Sequence, residues 1–175
     1  IAFCPASDYA ANIELAEAVA PPAGRHSAGE PMDRVATPGR IRCEDVASQL
    51  GLSLQRTVKA IAVMHDAQFC LLLLRGDHSL NEIKASKLPF LNPFRFATDE
   101  EVERHLGCRP GYIGPVGIDP GIPVVADRSV AAMCDFVCGA NSRDTHLTGI
   151  NWGRDLPEPQ VADLRNVVAG HPSPA

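Results

Sequence analysis

The sequence contains no run of 18 apolar residues, so no segment of it can form a membrane-spanning helix. It also lacks an excess of positive charge: 16 Lys and Arg stand against 21 Asp and Glu, a net charge of −5. That balance excludes a strongly basic, free-standing nucleic-acid binder, though not a module that meets nucleic acid after something else has delivered it. Polybasic and acidic tails are missing too, so any basic surface has to be assembled by the fold. The opening Ile1-Ala2-Phe3-Cys4 has neither the basic head nor the long apolar stretch of a signal peptide, and it does not begin with Met. A fragment of a longer chain is expected, so any address signal could lie outside it.

The six cysteines, Cys4, Cys43, Cys70, Cys108, Cys134 and Cys138, form no Cys-x-x-Cys knuckle. At this length a disulfide-built fold is not expected. Cys134 and Cys138 could sit one helical turn apart, but there is no second pair to close a four-ligand zinc site. Reduced thiols and a cytoplasmic setting are therefore expected, with no metal. No Ser, His and Asp stand in a recognisable triad order.

What is present fits one globular domain: 175 residues, 45% hydrophobic and 21% charged. Pro21-Pro22-Ala23-Gly24 and the polar stretch to about Asp33 read as a linker, and Gly170-His171-Pro172-Ser173-Pro174-Ala175 as a tail. The expected division is therefore 1–33 as a flanking segment, 34–170 as the compact unit and 171–175 as a second linker. Within it a helix over 44–50 should stop at Gly51. Thr57–Met64 and Phe69–Leu74 predict a buried hairpin. A helix over 80–88 should stop at Pro89, a short strand is expected at 94–97, and Thr98 with Glu101 has the pattern of a capping box opening a helix to Leu106. A Gly- and Pro-rich loop over 107–121, a strand over 122–126, an apolar stretch over 130–137 and a last helix around 160–168 complete the prediction. The interspersed elements and the hairpin favour a mixed α+β fold with a largely antiparallel sheet.

Several residues could carry chemistry. Strand alternation puts Lys59 on the face of Ile61 and Val63, where it must either meet an anion or snorkel to water. Gly111-Tyr112-Ile113-Gly114-Pro115-Val116-Gly117 can turn successive backbone N–H groups toward an anion, or can be a tight surface loop. Asp127 could orient a cation or start a turn. His146 could be a base or a plain loop residue. Composition and periodicity alone reach no further than an α/β domain with one loop suited to backbone recognition.

Six ordered blocks go further. Arg56-Thr57-Val58-Lys59-Ala60, Leu74 through Ala85, Gly111 through Pro115, Val124 through Arg128, Gly139-Ala140-Asn141 through Trp152, and Val161 through Gly170 resemble the editing insertion of bacterial prolyl-tRNA synthetases, within the YbaK-like aminoacyl-tRNA deacylase superfamily. The opening Asp8-Tyr9-Ala10-Ala11-Asn12 resembles the segment that leads into that insertion. The resemblance implies a curved, mostly antiparallel sheet approaching a barrel and surrounded by helices. It implies hydrolysis of mischarged alanyl-tRNA-Pro, with the aminoacylated tRNA 3′ end and the parent's catalytic and anticodon-binding domains as partners, no membrane, and no cofactor.

By the same resemblance Lys59 anchors the terminal adenosine, and the amides of Gly111 through Gly114, ahead of Pro115, hold the ester carbonyl. Thr37 is a pocket residue, His146 limits pocket size, and Asp127 is a carboxylate at the site. With no general base in view, the implied mechanism is water attack assisted by the substrate's own ribose hydroxyl. Two alternatives stay open: a deacylase for cysteine or serine esters, and a non-catalytic module that positions tRNA. Asp119-Pro120-Gly121 lengthens the loop after Gly117 and is expected to bear on the rim of the site.

Overall fold

In the computed structural model, which describes residues 1–175, the chain opens with two short paired strands, β1 (Ala2–Phe3) and β2 (Ala10–Ala11). Strand β3 (Asp33–Ala36) precedes helix α1 (Cys43–Leu50). Gly51 ends α1 in the left-handed conformation, its N–H returned to Ala47 and Ser48. The hairpin forms as β4 (Val58–His65) and β5 (Gln68–Arg75), paired from Val58–Arg75 to His65–Gln68. Helix α2 (Glu82–Ser86) and strand β6 (Arg95–Phe96) follow. Helix α3 (Asp99–Leu106) carries both halves of the Thr98–Glu101 capping box. The remaining elements are β7 (Val124–Asp127), α4 (Arg128–Ala131), β8 (Phe136–Gly139), β9 (Thr145–Ile150) and β10 (Gln160–Ala162).

Two sheets carry the molecule. One has the order β10-β7-β5-β4-β6, parallel at β10–β7 and β7–β5 and antiparallel at β5–β4 and β4–β6; the other is the antiparallel β3-β9-β8. They meet through a single bridge between Thr57 and Val137, without closing into a barrel. The fold is thus the expected mixed, largely antiparallel one. β5 is its spine: Leu71 to Leu74 are wholly buried and feed apolar clusters on both faces. Each such leucine contributes about 1.5–3 kcal/mol.

Several details differ from expectation. Residues 160–168 form no helix: after Pro157 and Pro159 the chain runs parallel to β7, and Leu80 bridges Arg165. A strand edge and the Asp127 carboxylate, which accepts from Leu164 N–H, take up backbone groups that a helix would have paired internally. The apolar run 130–137 divides between α4 and β8, and the predicted 80–88 helix is the shorter α2. The segment before Arg34 lies on the fold: Ala16 and Ala18 are buried, Ala18 N–H donates to Asp163, and Arg25 pairs with Glu158 at 2.6 Å. All six thiols are free, and Cys70 and Cys138 are pushed by burial to a pKa of about 12.

Candidate active site

The seam between the two sheets forms a partly open chamber of about 140 Å³, room for several waters. The lead-in to α1 and the helix itself supply Ile41, Cys43 and Val46; the start of β4 supplies Val58, Lys59 and Ala60. The glycine loop supplies Gly111 and Ile113, β8 Val137 and Gly139, and β9 His146. Sequence positions more than 100 residues apart are thus brought to one small cavity by the way β4 passes β8.

Lys59 is half-buried, with Nζ 3.5 Å from the Gly76 carbonyl and no carboxylate in ion-pair reach. A cation facing a cavity without a counter-charge is an available anchor for an anion. Cys43 beside it is kept a thiol: burial raises its pKa, outweighing the opposing influences of Thr57 and Lys59.

His146 is buried, and its Nδ1 shares a 2.6 Å hydrogen bond with the wholly buried Thr37 Oγ1. Tyr112 meets the ring edge-on at 5.7 Å between centroids. Burial lowers the imidazole's pKa, which leaves it neutral at pH 7. Thr37 therefore stands behind the chamber rather than in its wall, fixing the ring that does form the wall. Asp144 fixes Thr37 in turn: its carbonyl accepts from Thr37 N–H at 2.8 Å, and its carboxylate accepts from Gly39 N–H at 2.9 Å and the Tyr112 hydroxyl at 2.8 Å.

The glycine loop reaches the chamber by close backbone approach. A Cβ on Gly114 would lie 2.1 Å from the Gly139 carbonyl oxygen, and one on Gly139 would lie 2.3 Å from the Ile113 oxygen. Gly111 sits at φ +113° with Ile41 where its Cβ would be. Asn141, absent from the sequence-based set, clamps this loop. Its side chain accepts from Gly114 N–H at 2.9 Å and donates to the carbonyls of Gly114 at 2.8 Å and Val116 at 3.3 Å. Its own N–H donates to Tyr112. The Gly114 amide is thereby occupied and unavailable to a ligand, whereas the Gly111 and Ile113 amides, on residues lining the chamber, donate to nothing within the chain. In sequence Asn141 is marked only by its place in the Gly139-Ala140-Asn141 block; its residue type also suits its φ of +53°.

Two expected site residues lie elsewhere. Asp127 is wholly buried outside the chamber: it caps α4 through Ser129 N–H, accepts from Leu164 N–H and sits 3.7 Å from Arg165 Nε. Its carboxylate is engaged inside the core and does not face the chamber. Pro115 lines a separate, larger cleft with Asp119, Pro120 and Trp152, so it turns the loop without touching the chamber, and the lengthened 119–121 turn borders that cleft instead.

The domain model for the aminoacyl-tRNA editing domain matches residues 37–156, from the threonine behind His146 to the end of the second sheet's continuation. The chain belongs to the aminoacyl-tRNA editing family. It is 62% identical to proline–tRNA ligases of Ralstonia pickettii and Dechloromonas aromatica and 57% identical to that of Delftia acidovorans, each across 99% of this chain. It spans only 31–32% of the length of those relatives. The fold is also similar to the crystal structure of a hypothetical protein (25% identity, TM-score 0.66, 78% of this chain and 92% of that one). It likewise resembles that of a candidate trans-editing enzyme for prolyl-tRNA synthetase (23%, 0.66, 78% and 87%). As an editing domain it is an ester-hydrolysing enzyme unit, and no helix in it is long and apolar enough to cross a membrane.

Proposed function

We propose that this domain, as the insertion of a proline–tRNA ligase, hydrolyses alanyl-tRNA-Pro, with residues 34–170 as the working unit and the rest of the synthetase and the tRNA 3′ end as partners. The observation that carries this is the small chamber holding an unpaired Lys59, two unengaged loop amides and a rigidly held neutral His146. A synthetic pocket shaped for proline rejects the smaller alanine only through the ~1–3 kcal/mol that each missing methylene is worth, so a second, smaller chamber that admits alanine and refuses proline supplies the missing selectivity.

In this mechanism Lys59 pairs with a phosphate of the terminal adenosine and sets the ester against the glycine loop. Water attacks the ester carbonyl while the neighbouring ribose hydroxyl relays its proton to the departing ribose oxygen. The negative charge that develops on the carbonyl oxygen is met by the amides of Gly111 and Ile113. Collapse breaks the acyl–oxygen bond and releases alanine and the free tRNA end. His146 forms the wall that a pyrrolidine ring would strike. No residue lining the chamber has to act as general base, and the reaction needs no cofactor.

The test is hydrolysis of alanyl-tRNA-Pro by the full-length chain and its Lys59→Ala variant. Losing one partner of a desolvated charge pair costs about 2–5 kcal/mol, roughly 30-fold or more in kcat/KM. Equal rates would remove Lys59 from the mechanism. Cysteine or serine esters hydrolysed faster than alanine would move the specificity to another small amino acid.

A further inference from the structure

We infer that Arg40, Arg42 and Arg143 form a cationic rim around the chamber's mouth that grips the sugar–phosphate backbone of the single-stranded tRNA 3′ end; this rests on the deacylase reading above. The chain as a whole carries a net charge of −5, so a polyanion needs a local surface of opposite sign.

The fold gathers that surface from distant segments. Ile41 lines the chamber yet is 57% exposed, which marks the mouth, and it lies between Arg40 and Arg42 in sequence. The loop bearing them is tied to the loop bearing Arg143 through Asp144, whose carboxylate holds Gly39 N–H and whose carbonyl holds Thr37 N–H. The same carboxylate accepts from Tyr112 of the glycine loop, and Ile41 packs where a Gly111 side chain would be. Three loops around one opening are therefore locked together, with the arginines on two of them.

The three guanidiniums are exposed to solvent. Arg40 is exposed and in no ion pair, and the side chains of Arg42 and Arg143 are 72% and 91% exposed. Arg42 and Arg143 are loosely ion-paired, with Glu44 at 3.8 Å and Asp144 at 3.7 Å, contacts too long for hydrogen bonds and solvent-exposed enough to yield to a phosphate. Arg42 also stands at the N-cap of α1 without a side-chain cap bond. A cation there opposes the helix dipole, and Ser or Asp would satisfy the free amides. Lys59 inside the chamber would hold the terminal phosphate, leaving the rim to those upstream.

The experiment compares the full-length chain with its Arg40→Gln/Arg42→Gln/Arg143→Gln variant on two substrates, alanyl-tRNA-Pro and the phosphate-free alanyl ester of adenosine. Each arginine on a single-stranded phosphate adds about 0.7 to the slope of log affinity against log salt. Three give roughly 2, or about 20-fold in KM between 50 and 200 mM salt. The variant should lose that part of the salt dependence on tRNA at unchanged kcat, keep the adenosine ester's rate, and recover the slope when the three positions are Lys. An unchanged salt slope and KM on tRNA would overturn the rim while leaving the deacylase standing. Loss of both substrates together would also overturn it, as the arginines would then be holding the fold. If the unaltered chain hydrolyses neither ester, the deacylase reading fails first and the rim falls with it.

Discussion

Asn141 offers the sharpest perturbation, because its two contributions can be separated. Its side chain makes three hydrogen bonds to the glycine loop at 2.8, 2.9 and 3.3 Å, and its backbone sits at φ +53°. Asn141→Gly keeps the backbone freedom and removes the three bonds; at about 1 kcal/mol net each, with the longest worth least, the loss is about 2–3 kcal/mol. Asn141→Ala removes the same bonds and adds the strain of a left-handed alanine, about 1–2 kcal/mol more. Urea unfolding of the two variants, with equal m-values, measures both numbers. The same change frees the loop that holds the Gly111 and Ile113 amides. One well-placed oxyanion donor is worth 10²–10³ in kcat, so partial misplacement of two should lower kcat for alanyl ester hydrolysis at least ~10-fold with little change in KM. A glycine variant within 0.5 kcal/mol of the parent and at full kcat would refute the idea that Asn141 positions the loop.

Other expected outcomes follow from the same geometry. His146→Ala should open the chamber to proline, raising prolyl-tRNA-Pro hydrolysis by at least ~10-fold, the low end of what excluding a single methylene is worth. Were His146 a base instead, alanine hydrolysis would collapse and proline would stay protected. Stability should depend on His78, which is buried with Nδ1 unpartnered and is held by desolvation at a pKa of about 4. Its folded pKa lies below the unfolded value near 6.5, so the unfolded chain binds the proton first. Stability is complete above pH 6.5 and is lost as pH falls toward 4, by on the order of 3 kcal/mol. Urea midpoints across that window should fall for the parent and fall less for His78→Gln.

The hairpin, the capping box and the Gly51 stop could be read directly from sequence because each depends on neighbours in the chain: alternation, a four-residue hydrogen-bond exchange, a residue free to turn left-handed. The 160–168 segment departs from the helix its spacing predicts because its partners, β7 and Asp127, lie more than 30 residues away, and parallel pairing overrides the helical spacing of its apolar residues. The site divides along the same line. Lys59, Gly111 and His146 were visible as residue types in a recognised pattern. That Thr37 bonds His146, that Gly114 closely approaches Gly139 with its amide held by Asn141, and that Asp127 is buried in the core depend on contacts between distant segments. Asn141 and the arginines at the mouth were invisible for that reason too: only the crossing of β4 past β8, with Asp144 pinning the loops, gives them a common target.

The chamber's selectivity is tested most directly by presenting alanine, cysteine, serine and proline on the same tRNA-Pro to the unaltered full-length chain and comparing initial deacylation rates. Alanine should be released fastest and proline should stay attached over the same interval. Proline released as readily as alanine would contradict a chamber bounded by His146, and alanine left in place would contradict the editing of alanyl-tRNA-Pro altogether.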